Sequence, residues 1–147
     1  MNKKISIKGW VLATVALLYF GAASADSRIK VDLPDMMREH MMSNMRGHLQ
    51  ALETITRSLA EHNYEQAADV AEKSLGMSSL QSHGAEHLGK FMPAEMAAIG
   101  QQMHHAASRF AVAARDAEID GGLDKAFSAL SEVMQNCLAC HSAYRVH

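Results

Sequence analysis

"LDKAFSALSEVMQNCLACHSAYR", residues 123 to 145, decides the fold, because it combines a sustained helical repeat with a cluster of chemically distinctive side chains. Its larger side chains recur at alternating intervals of three and four residues, which is the repeat of one face of a packed helix. The residues on this predicted face are Phe127, Leu130, Met134, Cys137 and His141. We expect a helix that begins near Leu123 and buries this face.

Two more helices are marked by prolines at their starts, where proline costs a helix little. The first is predicted from Pro34 to about Glu61 and the third from Pro93 to just before the turn at Asp120. The face predicted for the first helix comprises Met42, Met45, Leu49, Leu52 and Leu59, with Ile55 beside it. The face predicted for the third helix comprises Met96, Ile99, Met103, Ala107 and Phe110.

A shorter second helix is predicted between these two. Asn63 followed by Gln66 resembles a capping box, and Gly76 is expected to end or kink the helix. The connection over residues 76–92 is long for a structureless loop, so we expect at least one helical turn in it. Four amphipathic helices with short connections on three sides predict an all-α, antiparallel four-helix bundle.

The first 25 residues have the pattern of a cleaved secretory signal. A basic start is followed by the apolar run "WVLATVALLYF" and by small residues that suit cleavage after Ala25. The run has eleven residues, well short of the roughly 20 that a membrane-spanning helix needs. The sequence therefore predicts a signal peptide over residues 1–25, a single domain over residues 26–147, and a periplasmic protein without membrane insertion.

Charge argues against nucleic acid as a partner. Removing the predicted signal takes away three lysines and no acidic residue, which changes the formal net charge from −2 to −5. Nucleic-acid binding needs clustered lysine and arginine, and the predicted domain has a mild excess of acidic residues.

"CLACH", Cys137 to His141, has the C-x-x-C-H spacing of c-type haem attachment. Two thiols three residues apart on a helix lie on nearly one face, where each can add to a haem vinyl group, and His141 can then reach the iron. A thioredoxin-like pair would follow a strand, and a structural zinc site would need a second pair of ligands. We expect one covalently bound haem c near the C-terminus.

At this point the chain resembles the class II c-type cytochromes, the cytochrome c-prime family. The family pattern C-x-x-C-H-x-x-[YF]-R is matched by Cys137, Cys140, His141, Tyr144 and Arg145. "REHMM" also supplies Arg38 and Met42 at the spacing of the family's arginine and of the residue that faces the open side of the iron. The resemblance covers essentially the whole predicted domain, and it is weak in the 76–92 connection.

Met42 separates two functional alternatives within this resemblance. High-spin members carry a residue there that cannot bind iron, so the iron is five-coordinate and small gases such as nitric oxide can enter. Low-spin members carry a methionine that binds as the sixth ligand. The resemblance therefore implies His141 and Met42 as iron ligands in a low-spin protein.

The two arginines are expected to contact the haem. Arg38 lies one helical turn before Met42, and a planar guanidinium suits the carboxylate of a haem propionate. Arg145 follows His141 by four residues and is expected to pack near the histidine side or to shield the haem edge. Tyr144 is expected to pack rather than to act chemically.

Most other methionines are expected to fill the core, because a flexible thioether adapts to irregular gaps. Met41 lies about 100° around the helix from Met42, so only one of the two can point at the iron. The remaining histidines are expected on the surface of helices, and only His40 is kept as an outside candidate for iron. The residues expected to fill the core are Met45, Met96, Met103 and Met134.

The resulting function is that of a one-electron carrier with transient redox partner proteins, and not of an enzyme. A gas-binding, high-spin protein is the alternative. A periplasmic copper-handling protein is a further alternative, with Met36, Met37, Met41 and His40 as ligands, but it leaves "CLACH" unexplained. Neither a peroxidase acid–base group nor the Glu-x-x-His pairs of di-iron bundles are found. A monomer and a homodimer both stay open.

Overall fold

The computed structural model describes residues 26–147, and the predicted signal peptide lies outside these residues. Within them the chain is all-α, as predicted, with five α-helices and two strands of only two residues each. The helices are α1 (Asp35–Ala60), α2 (Tyr64–Ser74), α3 (Ala85–Leu88), α4 (Ala94–Asp120) and α5 (Leu123–Ala143). The strands are β1 (Ile29–Lys30) and β2 (Tyr144–Arg145), and two short 3₁₀ turns cover Met77–Ser79 and Gly89–Phe91.

The two prolines mark helix starts as predicted. Pro34 and Pro93 each stand immediately before the first helical residue. Their carbonyls accept the first helical hydrogen bonds, from the backbone N–H of Arg38 at 2.9 Å and of Ala97 at 3.0 Å. The bounds of α1 and α4 agree with the predicted helices to within about one residue.

The start of α2 uses half of the predicted capping box. Asn63 accepts a hydrogen bond from the backbone N–H of Gln66 at 3.3 Å. The Gln66 side chain, however, accepts from the Asn63 amide at 2.9 Å and not from its backbone N–H, which donates to Ser58 O at 2.8 Å. The backbone turn after α1 already satisfies that N–H, so the reciprocal bond is not needed.

The 76–92 connection contains helical turns, as expected. It holds both 3₁₀ turns and α3, and it is tied to α1 at the backbone carbonyl of His83. That carbonyl accepts hydrogen bonds from His40 Nε2 at 3.0 Å and from Asn44 Nδ2 at 3.1 Å.

The two strands join the ends of the described chain. They pair in parallel, with Ile29 opposite Tyr144 and Lys30 opposite Arg145, and Val31 N–H donates to Arg145 O at 2.8 Å. The start of the predicted domain therefore lies directly against the residues that follow "CLACH". No periodic pattern in the sequence predicted this pairing.

Two apolar clusters form the core. The larger lies between the long helices, where α2 packs against both α1 and α4 and α4 packs against α5. Its largest fully buried side chain is Phe110. The smaller cluster gathers around the paired strands and comprises Val31, Leu33, Met41, Leu88, Met96, Tyr144 and Val146. Tyr144 packs in this cluster.

The buried face of α4 is confirmed, whereas those predicted for α1 and α5 are partly wrong. Leu49 is 70% exposed, and Phe127 and Met134 are 46% and 44% exposed. The buried residues of α5 are Ala126, Leu130 and Val133, and those of α1 are Met41, Ala51, Ile55, Ser58 and Leu59. Ala51 and Ser58 in α1 and Ala126 in α5 are inner positions that a pattern based on large side chains misses, because small residues let neighbouring helices approach closely. No helix among residues 26–147 has the length and apolar character to cross a membrane.

Candidate functional site

A cavity of about 360 Å³ lies between α1, α4, the 76–92 connection and the C-terminal end of α5. Most of its wall consists of thioether and imidazole side chains. The methionines are Met41, Met42, Met45, Met92, Met96 and Met103, and the histidines are His48, His83, His104, His141 and His147. None of the described residues that line the cavity is acidic. Two arginines, Arg28 and Arg145, line it.

The motif residues reach this cavity from the last two turns of α5. Cys140 and His141 line it, while Cys137 is half-buried and packs against the core between the helices. The His141 side chain is otherwise exposed to solvent. Its backbone carbonyl accepts a hydrogen bond from Arg28 Nη1 at 3.2 Å, so the N-terminal segment closes one side of the site.

The two cysteines are free thiols. Burial raises the pKa of Cys137, and burial together with the neighbouring Cys137 raises the pKa of Cys140. A reactive redox pair needs the opposite shift, and it typically sits at a helix N-terminus, whose dipole stabilises a thiolate. Here the pair lies at the negative end of α5, which argues against thioredoxin-like chemistry.

Met42, the predicted sixth ligand of the iron, shares the cavity wall with two neighbouring methionines of α1. Met42 is half-buried and lines the cavity, as do Met41 and Met45. Met41 is the most buried of the three and belongs to the cluster around the strands. Three thioethers from two consecutive turns of α1 therefore face one space, and Met45, expected to fill the core, lines the cavity and belongs to neither apolar cluster.

The two predicted arginines differ in position. Arg145 lines the cavity; its Nε is buried without a hydrogen-bond partner and lies 3.7 Å from Asp26 Oδ2. Arg38 does not line the cavity, and its guanidinium is paired with the Asp35 carboxylate one turn earlier. The expectation that Arg38 reaches the site is therefore not met by this conformation. Arg28 occupies the cavity wall instead, where the pairing of β1 with β2 carries it.

The expectation that the other histidines lie on the surface is wrong for three of them. His104 is only 8% exposed, and His48 and His83 are half-buried. All three line the cavity, with ring centroids 4.8 to 6.4 Å apart. His40, the outside candidate for iron, instead donates to His83 O and does not line the cavity.

The ligand set of the copper alternative is not brought together. Met36 is 71% exposed, and the His40 ring is engaged with the 76–92 connection. Among the described residues, no three His, Cys, Asp or Glu side chains stand ready as a metal-binding group.

Cys140 and His141 fit a covalently held haem, whereas Cys137 does not line the cavity. One motif cysteine and the motif histidine open onto a largely apolar wall, and the arginines at its edge suit anionic carboxylates. Comparison with protein-family models, curated proteins and solved structures finds no match for this chain.

Proposed function

We propose that this protein is a periplasmic class II c-type cytochrome that carries single electrons between partner proteins. The observation that carries the proposal is that Cys140 and His141 lie on the wall of a methionine-rich cavity with no acidic lining residue among those described. The resemblance of "CLACH" and its flanking residues to that family adds to it. In this proposal α1, α2, α4 and α5 form an antiparallel four-helix bundle around the site.

Cys137 and Cys140 would hold haem c through thioethers, and His141 would bind the iron from one side. Met42 is the proposed ligand on the other side. Haem iron would supply the one-electron couple, and His/Met ligation raises its reduction potential relative to two nitrogen ligands.

The surrounding residues have separate roles in this proposal. The methionine side chains of α1 and α4 keep water from the buried part of the site and adapt to its shape. Arg28 and Arg145 are proposed to pair with propionate carboxylates, Arg28 in exchange for its ion pair with Asp26. Leu138, 66% exposed within the motif, offers an apolar contact for the small and transient interfaces that electron carriers use.

An absorption spectrum of the exported protein, ferric and then ferrous, tests the proposal. We expect haem bands, a low-spin ferric spectrum and the weak sulfur-to-iron band. Met42→Leu should abolish that band and give a high-spin spectrum. Met41→Leu and Met45→Leu are matched controls, because both line the same cavity, and they should keep the band.

Three other outcomes of these spectra would change the proposed function or the proposed ligand. Absence of haem bands under conditions that support haem attachment would overturn the cytochrome proposal. Loss of the band in Met41→Leu or Met45→Leu, but not in Met42→Leu, would move the ligand to that residue. A high-spin wild-type spectrum unchanged by Met42→Leu would make binding of small gases the better function.

A further inference from the structure

Three imidazole rings stand together on the cavity wall, and none of them belongs to the motif on α5. His48 comes from α1, His83 from the connection between Met77–Ser79 and α3, and His104 from α4. The ring of His83 lies 4.8 Å from that of His48 and 5.4 Å from that of His104, measured between centroids. The rings of His48 and His104 are 6.4 Å apart.

Hydrogen bonds orient two of these rings through the same nitrogen. His104 Nδ1 donates to Leu75 O at 2.7 Å, which leaves its Nε2 as the nitrogen with a lone pair. His83 Nδ1 lies 3.3 Å from Ser79 Oγ, whose own hydrogen is directed to Gly76 O at 2.7 Å. His83 therefore donates through Nδ1 and also keeps a lone pair on Nε2. A backbone or hydroxyl partner on the second ring nitrogen is the usual support of a metal-binding histidine.

His48 is the third ring, and one of its nitrogens makes no hydrogen bond. Its Nε2 is buried and has no hydrogen-bond partner. A buried polar atom without a partner is costly and calls for an explanation. Binding a cation through this lone pair would supply one.

The spacing of the rings suits three ligands of one ion. A nitrogen ligand lies about 2.0 to 2.1 Å from the metal, and the ring centroid lies about 1.1 Å further back. Three such rings at trigonal to tetrahedral angles have centroids about 5 to 5.5 Å apart. Two of the three observed distances are within about 0.3 Å of this range, and the third exceeds it by about 1 Å.

The donor atoms do not yet converge, in agreement with the lack of a ready metal-binding group among the described residues. Closing the site requires His48 to move by about 1 Å towards His104 and to turn its ring. His48 is the member whose buried nitrogen is not held by a hydrogen bond, so it is the one that can turn.

The chemistry of the wall selects the ion. Neutral imidazole is the form of histidine that binds a metal ion. The described cavity wall offers no carboxylate to balance a divalent charge, while Met45 and Met103 add soft thioethers. Neutral nitrogen and sulfur donors in a weakly polar cavity favour a soft, monovalent cation.

We propose that His48, His83 and His104 form a binding site for a single cuprous ion. The site differs from the copper alternative based on Met36, Met37, Met41 and His40. None of its ligands is a motif residue, although the site lies on the wall of the same cavity as Cys140 and His141.

Anaerobic competition with the cuprous chelator bicinchoninate tests the site on the exported protein. Wild type should withdraw one equivalent of copper from the chelator. His48→Gln and His104→Gln should each weaken binding at least about tenfold, a loss comparable to that from removing a ligand's supporting partner. His105→Gln, which removes the exposed histidine next to His104, should bind as wild type does.

Several results would overturn the site. One is that wild type withdraws no copper from the chelator. Another is that the His48 and His104 variants bind copper as tightly as wild type. The third is that the protein retains Zn²⁺ in preference to copper under the same conditions. If His104→Gln does not fold, as circular dichroism would reveal, His83→Gln takes its place. X-ray absorption at the copper edge should show histidine nitrogens at about 2.0 Å. Haem is counted separately by absorption, so a failure of the copper site and a failure of the cytochrome proposal are distinguishable.

Discussion

Gly84 holds the 76–92 connection against α1, and replacing it tests how the cavity is closed. Its backbone is left-handed, with φ of 64° and ψ of 31°. A Cβ at this position would lie 3.1 Å from His40 Nε2, the atom that donates to His83 O. Gly84→Ala therefore acts both on the backbone conformation and on the contact that fixes His83.

Two costs add up in this variant. An L-residue in the left-handed region costs roughly 1–2 kcal/mol. Displacing His40 removes a hydrogen bond whose net contribution is about 1 kcal/mol. We expect the free energy of unfolding to fall by about 2–3 kcal/mol, which for a domain of this size lowers the melting temperature by about 8–12 °C.

Urea and thermal unfolding, followed by circular dichroism, measure this difference. Gly89→Ala is the matched control in the same connection, because Gly89 has helical angles and no atom within 4 Å of the added Cβ. It should leave stability unchanged or raise it by up to about 1 kcal/mol. Equal stability of the two variants would refute the proposed closure of the connection by Gly84 and His40.

Two further predictions concern the core and the histidines. Phe110→Ala should cost about 3–5 kcal/mol in urea unfolding, because the ring is fully buried, whereas Val112→Ala on the exposed side of α4 should stay within about 0.5 kcal/mol. His48 has a folded-state pKa of about 4, below its unfolded value of 6.5, so the unfolded chain takes up the proton first as the pH falls. The free energy of unfolding of metal-free wild type should therefore fall by up to about 3 kcal/mol between pH 6.5 and 4. His48→Gln should lose less over that range, and His105→Gln should follow wild type. The same dependence of unfolding free energy on pH in all three proteins would contradict a buried, neutral His48.

Local signals explain what the sequence predicted well. Pro34, Pro93 and the glycines after Asp120 act on their own backbone neighbours, so helix bounds follow from a few adjacent residues. Gly121 indeed ends α4 with φ of 72°. The cysteine and histidine of "CLACH" are likewise a local motif, and their shared helix follows from the same stretch.

Contacts between distant segments of the chain explain which features of the site and the core could not be predicted from the sequence. His48, His83 and His104 are 35 and 21 residues apart, and no spacing motif links them. Arg28 lines the cavity only because β1 pairs with β2 at the other end of the described chain. The inner face of α5 was misassigned because Ala126 is fully buried where α4 approaches with alanines of its own, and a search for large side chains does not register such a contact.

The cavity itself links the fold to a need for an occupant. The wall of this 360 Å³ cavity is largely apolar and partly open to solvent, so an occupant that covered its thioether side chains would remove apolar surface from water. Unbranched methionines could collapse into the space, but the paired strands and the 76–92 connection hold its walls apart from both ends. If the proposed haem is attached at Cys137 and Cys140, it would cover part of that surface, and its attachment would then contribute to folding as well as to the proposed function.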